Sequence, residues 1–367
     1  MKILLLHDDT TTKGKEVSAV HIWRIIRPFE ELAKHVDWQI DHQPHLIDTS
    51  KLNSEDRLSE EELLKQAEKL GQYDVVWSSY YTDISMFALS QIVAKKYGTK
   101  FVIDDDDDIY NIADTNPFWL KMTKKDQWTM QRMVEEAPYI VTTNERLQKH
   151  YQEKSFVDAK VFVLPNFIGG YKHPYFDNQF DVTITFFGGS AHTPDLERTG
   201  VMDALQKIMH KYKNVHVHFI GCKAKGYLPT SRFKFSYGKI GYEWLSDVWP
   251  SINADISIAP LEDTEFNRRK TPIKWMESAM IPAAFIGSNI PPFTDIVKDG
   301  ETGLLVNNTS DDWYEALEKL INNRKLRKQL ADNARKEVEE HTIENNWHKL
   351  KNLVEEIVAD KSTNYDW

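Results

Sequence analysis

The sequence predicts an α/β protein of two doubly wound domains in tandem, and three observations carry that expectation. Apolar runs of strand length alternate with amphipathic stretches of helical period from the first residue onward. The runs are close to continuously apolar, the pattern of parallel strands covered on both faces. At 367 residues the chain has room for two cores of ordinary size.

In the first half, KILLLH (2–7) reads as a strand, followed by a helix near 17–35, WQIDH (38–42) as a strand, SEEELLKQAEKLG (59–71) as a helix and DVVWSSY (74–80) as a strand. The rhythm continues with ISMFALSQIVAKKYG (84–98) as a helix, KFVID (100–104) as a strand and a long helix near 117–137. YIVTTN (139–144), a short helix and KVFVLPNF (160–167) complete this winding. IGGYKHPYFDNQF (168–180) gathers Gly, Pro, Asn and aromatics without periodicity and reads as a linker. Strands VTITFFGG (182–189), VHVHFIG (215–221), ADISIAP (254–260), AAFIG (283–287) and TGLLVN (302–307) form the second winding. VMDALQKIMHKYK (201–213) and IKWMESAM (273–280) are among its helices, and a charged helical tail follows. The expected domains are 1–170 and 171–345, with 346–367 a terminal helix returning to the first. Ligands of open α/β sheets bind outside the carboxyl ends of the strands, so the chemistry is expected in those loops, around an inter-domain cleft.

Composition narrows the function. A net charge of -10 argues against wholesale nucleic-acid binding, so any polyanion must be gripped locally. Cys222 is the single cysteine, which excludes an internal disulfide, and no Cys/His spacing suggests zinc. The apolar stretch in MKILLLHDD is too short for a signal peptide or membrane span, and a cytoplasmic location is expected.

The segment APLEDTEFNRRKTPIKWMESAMIPAAFIGS (259–288) is the most informative. After a strand come acids, then Asn267, Arg268, Arg269 and Lys270, then Pro272 in what reads as the first turn of a helix, where a missing N–H is harmless. That helix start would offer N–H groups and a positive dipole end to an anion, with the cations beside it. Lys274 and Glu277 lie three apart and share a face. Cations for a pyrophosphate and a carboxylate for ribose hydroxyls suit a nucleoside diphosphate; the plainer alternative is a solvated helix start with an intrahelical pair. GGSAHTPD (188–195) adds close backbone approach at Gly188 and Gly189, with Ser190 and His192 as donors to a phosphate or sugar, or else only a tight strand-to-helix turn.

These segments carry a resemblance. VLPNF (163–167), ITFFGGSAHTPD (184–195), FNRRKTPIKWMESAMIPAAFIGS (266–288) and DIVKDGETGLLV (295–306) look like a GT-B glycosyltransferase of the retaining glycosyl transferases group 1 family, in its branch from polysaccharide clusters and phage genomes. SAVHIWRIIRPFEELAKH (18–35) is similar to that branch's first helix. The resemblance implies two Rossmann-like domains, a nucleotide-sugar donor site in the second, an acceptor site in the first, and no cofactor or obligatory metal. It places Glu277 on the donor ribose and Lys270 and Lys274 near the diphosphate. Two departures stand out: the family often pairs glutamates eight positions apart, and Arg269 stands eight before Glu277; the family's Gly-rich first loop is replaced by HDDTTTKGKEVSA (7–19). Donor sugar, base and acceptor stay open, the acceptor being a polysaccharide, a lipid-linked sugar, a protein or modified DNA.

FVIDDDDDIYNI (101–112) runs five aspartates out of a strand. Alternating sides of a strand, they cannot all be buried without raised pKa values, so some must meet water or a cation. The resembled branch often carries acids here, and Asp104, Asp106 and Asp107 are the candidates to bind sugar hydroxyls or help deprotonate the acceptor. A solvated acidic turn and a divalent-metal site are the alternatives, the metal being disfavoured. His21 and Arg24 are acceptor-side candidates or a surface pair, and His7, Asp8 and Asp9 end the first strand. RKLRKQLADNARK (324–336) is a basic helix either solvated or touching an anionic membrane, and Trp119 and Trp128 serve either sugar stacking or the core. Three rival functions share this frame. A nucleotide-sugar epimerase would convert donor without acceptor, and a sugar-binding platform would bind without turnover. A phosphorylation-dependent receiver needs an aspartate ending strand three and a lysine ending strand five, which DVVWSSYY and YIVTTN lack.

Overall fold

The structure is a computed structural model that describes residues 1–7, 21–44, 59–79, 84–113, 116, 119–169, 180–224, 230–238, 248–281 and 283–361. Asp8, Asp9, the His7 side chain and most of the 168–180 linker lie outside the described residues. The chain divides into two compact units: Met1–Asn111, Lys121–Phe167 and Ile343–Trp367 form the first, Ile112–Leu120 and Ile168–Thr342 the second.

In the first unit β1 (Lys2–His7), β2 (Gln39–Pro44), β3 (Val75–Ser78), β4 (Lys100–Asp104), β5 (Tyr139–Thr142) and β6 (Lys160–Val163) form a parallel sheet ordered β2-β1-β3-β4-β5-β6. Every residue of β3 and β5 is buried, as the continuous apolar runs require. α1 (Arg27–Ala33) is entered through a π turn at Ile22–Ile26, and α2 (Glu60–Leu70) starts from a Ser59–Glu62 capping box. α3 (Ile84–Tyr97), α4 (Lys124–Glu136) and α5 (Glu145–Lys154) follow. The helix expected from residue 117 starts only at Lys124, because Thr123 and Asp126 close a second capping box and stop it there.

The second unit repeats the design with β7 (Val182–Phe187), β8 (Val215–Ile220), β9 (Phe233–Ser236), β10 (Ile256–Ala259), β11 (Ala284–Ser288) and β12 (Leu304–Val306), again all parallel. Their order is β12-β11-β10-β7-β8-β9. The chain winds outward from β7 to β9, returns to β10 beside β7, and winds out the other way. The strand order therefore reverses between β7 and β10, where an open α/β sheet forms its binding crevice. β9 was not among the expected strands; it is a four-residue edge strand paired only with β8 among the described residues. The helices here are α6 (Thr193–Arg198), α7 (Val201–Lys211), α8 (Glu265–Arg268), α9 (Ile273–Met280), α10 (Ser310–Asn322) and α11 (Arg324–Glu337).

α12 (Ile343–Ala359) packs Leu350, Leu353, Val354 and Ile357 into the first unit's core with Phe29, Leu32 and Trp77. Its end is pinned by Asp360, whose carboxylate accepts from Tyr139 Oη at 2.8 Å and pairs with Lys160 Nζ at 2.8 Å. α11 was read as a solvated or membrane-facing basic helix, yet one of its cations points inward. Arg327 is buried and caps α10 by donating to the carbonyls of Leu320 and Ile321. Among the described residues no helix is long and apolar enough to cross a membrane.

Candidate active site

The second unit's site grows from the two loops that leave β7 and β10. After β7, Gly188 lies where an added Cβ would meet the His192 ring at 3.0 Å, so glycine lets that ring fold back toward the strand. Gly189 and Ser190 are exposed, and Ser190–His192 make a 3-10 turn leading into α6. His192 Nδ1 lies 2.9 Å from Asp195 Oδ2. Burial lowers the His192 pKa below its ordinary value; Asp195 opposes that shift, and the charges of Lys270 and Lys274 add to it.

After β10, Thr264 caps α8 by accepting from the Asn267 N–H. Lys270 Nζ stands 4.3 Å from the Phe266 ring centre and Lys274 Nζ 5.0 Å from that of Phe187, so both cations rest on aromatic faces. No side chain caps the start of α9, where Pro272 is the N-cap rather than an interior residue. Lys274 Nζ pairs with Glu277 Oε2 at 2.8 Å, and Glu277 is buried at 4% exposure, so the pair exists but is not a solvated one. His192 on the loop after β7 and Lys270, Lys274 and Glu277 on the loop and helix after β10 thus lie on the two sides of the reversal point.

Two donor-side candidates have partners within the second unit. Asn267 is buried and its amide is occupied: Nδ2 donates to Asp195 Oδ1 and to the Glu262 carbonyl, both at 2.9 Å. It braces the loop. Arg269 donates to Glu265 Oε2 at 2.8 Å, and Arg268 holds Asp263 through two bonds, so both arginines are tied to acids of their own loop.

Residues 200–337 match the model of the family described as glycosyl transferases group 1. No curated protein matches the chain. Among solved structures it is similar to sucrose-phosphate synthase from Thermosynechococcus elongatus, at 13% identity over 98% of this chain and 99% of that one, with a TM-score of 0.62. A glycosyltransferase from Rickettsia africae is 15% identical over 98% and 99% of the two chains, with a TM-score of 0.62. Anabaena HepE, in complex with UDP and glucose, is 11% identical over 97% and 99%, also with a TM-score of 0.62. The chain has the GT-B fold, and its residues 200–337 carry the glycosyl transferases group 1 match.

In the first unit the aspartate run is mostly turned inward. Arg24, 3% exposed, donates through Nε to Asp104 Oδ1 at 2.9 Å and through Nη1 to the Leu164 carbonyl and Asn166 Oδ1 at 2.6 and 2.9 Å, and its Nη2 lies 2.7 Å from Asp104 Oδ1. Trp77 Nε1 donates to the other Asp104 oxygen at 3.0 Å. Asp104 and Arg24 are therefore a buried pair that clamps the carboxyl ends of β4 and β6 together, and Arg24 is not half of a surface pair with His21. His21 is likewise buried, with Nε2 2.6 Å from Ser79 Oγ.

Asp105 is buried too, and burial pushes its carboxyl well above the ordinary value. Tyr151 Oη lies 2.6 Å from Asp105 Oδ2 and 2.7 Å from the Asp107 carbonyl. A phenol has one proton and a carbonyl can only accept, so both contacts are satisfied when Asp105 is protonated and supplies the second hydrogen. Asp108 is buried as an acceptor for the Tyr110 N–H and the Asn111 amide. Asp106 and Asp107 are the partly exposed members of the run. Trp128 is exposed at 51% with the Arg132 guanidinium 5.9 Å from its ring centre, outside the core. Among the described residues no group of three or more His, Cys, Asp or Glu is placed to hold a metal ion.

Sequence reading passed over Asp195, which unites the β7 and β10 loops. Its signal was present in HTPD: an acid one helical turn after the histidine, behind a helix-starting proline.

Proposed function

We propose that this protein is a glycosyltransferase that moves a sugar from a nucleotide-sugar donor to a hydroxyl acceptor with retention at the anomeric carbon and without a divalent metal. The observation that carries the donor side is the convergence of Lys270, Lys274 and His192 at the β7–β10 reversal of a group 1 domain. Two ammonium groups and the uncapped start of α9 suit the charge that grows on a departing diphosphate, where fixed cations and amide dipoles lower the barrier most. Glu277 holds Lys274 with one oxygen and offers the other to ribose hydroxyls. Gly188, Gly189 and Ser190 allow the donor's phosphates or sugar close approach. On the acceptor side the roles fall to Asp106 and Asp107, because the rest of the run is committed inside the fold. Retention rests on the family likeness alone, and the acceptor is a hydroxyl on a polysaccharide, lipid-linked sugar, protein or modified DNA.

A thermal-shift panel of UDP-, GDP-, ADP- and TDP-sugars tests the donor reading, starting with UDP-glucose. A ligand at 100 times its Kd should stabilise the fold by about 2.7 kcal/mol. No shift from any of them would overturn the reading. Activity on the donor so found should persist in EDTA, and its loss would assign a metal.

A further inference from the structure

Asp195 stands in the first turn of α6 at 4% exposure, and both of its oxygens are committed. Oδ2 takes His192 Nδ1 at 2.9 Å, while Oδ1 accepts from the Glu262 N–H at 2.8 Å and from Asn267 Nδ2 at 2.9 Å. One carboxylate therefore ties the loop leaving β7 to the loop leaving β10, on the two sides of the strand-order reversal. It also fixes the imidazole. A carboxylate can only accept, so Nδ1 carries a hydrogen, and Nε2, across the ring, is the atom whose proton is optional.

The charged groups that bear on this ring are Asp195 from α6, Lys270 from the loop after α8 and Lys274 from α9. Phe186 lies edge-on at 6.2 Å and brings no charge. Without a ligand, burial and the two lysines outweigh Asp195 and favour the neutral ring. A diphosphate seated among those lysines brings negative charge to the same place and reverses the balance, since an opposite charge within a few ångströms favours the protonated form.

Resting on the donor reading above, we propose that Asp195 is a positioning residue that holds His192 with Nε2 toward the incoming diphosphate, so that nucleotide binding is coupled to proton uptake by the ring. The proton comes from solvent and lands on Nε2, which then donates a charge-assisted hydrogen bond to a phosphate oxygen. No bond to phosphorus or sugar changes in this step. His192 thereby becomes a third cation of the site, present only when there is a diphosphate to meet it.

Calorimetry of UDP, GDP, ADP and TDP binding at pH 7.5, in buffers of low and high ionisation enthalpy, tests the coupling. The terminal phosphate, with a second pKa of about 6, is largely ionised at that pH, and comparison with His192→Asn cancels what remains of it. The wild-type protein should take up between about a half and one proton per nucleotide bound. His192→Asn should bind with uptake near zero. Asp195→Asn, which still accepts from the Glu262 N–H but has lost its charge, should bind with less than half the wild-type uptake. Zero uptake in the wild type, or unchanged uptake in His192→Asn, overturns the coupling and leaves the donor reading standing. Failure of all four nucleotides to bind overturns both.

Discussion

The acidic loop after β4 and the cationic loop after β10 both follow the carboxyl end of an interior parallel strand, and they use charge in opposite ways. Three of the five aspartates are buried against partners inside their own unit: Asp104 on Arg24 and Trp77, Asp105 on Tyr151, Asp108 on Tyr110 and Asn111. The two lysines of the second loop lie across aromatic rings at the reversal point. Side-chain length explains the difference. A carboxylate one carbon from the backbone can turn inward and be satisfied by nearby N–H and O–H groups, while a lysine carries a long stem along apolar surface and keeps its charge at the edge. A run of like charge is therefore no guide to which way it faces; the reach of its side chains and the donors around it decide.

The comparison breaks first at Arg24. Removing it leaves Asp104 buried without its cation, and breaking a buried pair from one side costs about 3–5 kcal/mol. Arg24→Ala should lower unfolding free energy in urea by that amount. A loss under about 1 kcal/mol, the value of an exposed pair, would mean that the acidic loop is not held as described.

The second loop should respond in turnover rather than stability. Lys270→Met keeps the stem on Phe266 and removes the charge, so the midpoint in urea should hardly move while turnover falls about 100-fold, near 3 kcal/mol of transition-state stabilisation. Equal turnover would move the diphosphate elsewhere.

The contrast also marks how far the sequence could be read. Apolar runs located eleven of the twelve strands among the described residues because buried parallel strands are written in every residue; β9 escaped because FKFS alternates on a four-residue edge. The nearness of Lys270, Lys274 and Glu277 was legible because they follow one another along one loop and one helix, whereas His192 joins them from the separate loop after β7. The partners of Asp104, Arg24 and Asn267 were not legible because they lie far away in sequence: Asp104 is 80 residues from Arg24, and Asn267 72 from Asp195. Local pattern shows that a polar residue sits at a strand end, but not whether something buried already claims it.

A smaller effect is expected at Asp107, one of the two partly exposed acids. Asp107→Asn should cut turnover about tenfold, less than the roughly 100-fold low end for a lost acid–base group because Asp106 stands beside it, and leave nucleotide affinity unchanged. Its backbone carbonyl, which meets Tyr151, is kept by any substitution. Unchanged turnover would discard the acceptor role and leave the loop as a folding device.

The finest distinction is at Asp105, where the folded state prefers the neutral carboxyl. Its folded pKa is raised above the ordinary value of 3.8, so the native protein holds a proton that the unfolded chain gives up. By linkage, stability then falls as pH rises through the window from the unfolded pKa up to the folded one. This is the reverse of an ion-paired aspartate, which loses stability as pH falls. Asp105→Asn keeps an acceptor for the Asp107 N–H and supplies an amide hydrogen to Tyr151, without an ionisation to oppose. Near pH 4 the variant should lie within about 1 kcal/mol of the parent, the scale of one exchanged hydrogen bond, and its relative stability should rise as the pH climbs from the unfolded value toward the raised folded one. Tyr151→Phe, which removes the shared partner, provides the control: it should destabilise the fold by about 1–3 kcal/mol. If the parent and Asp105→Asn instead kept a constant difference across that range, Asp105 would be ionised in the fold, and the inward-turned acidic loop would need a cation in place of the proton.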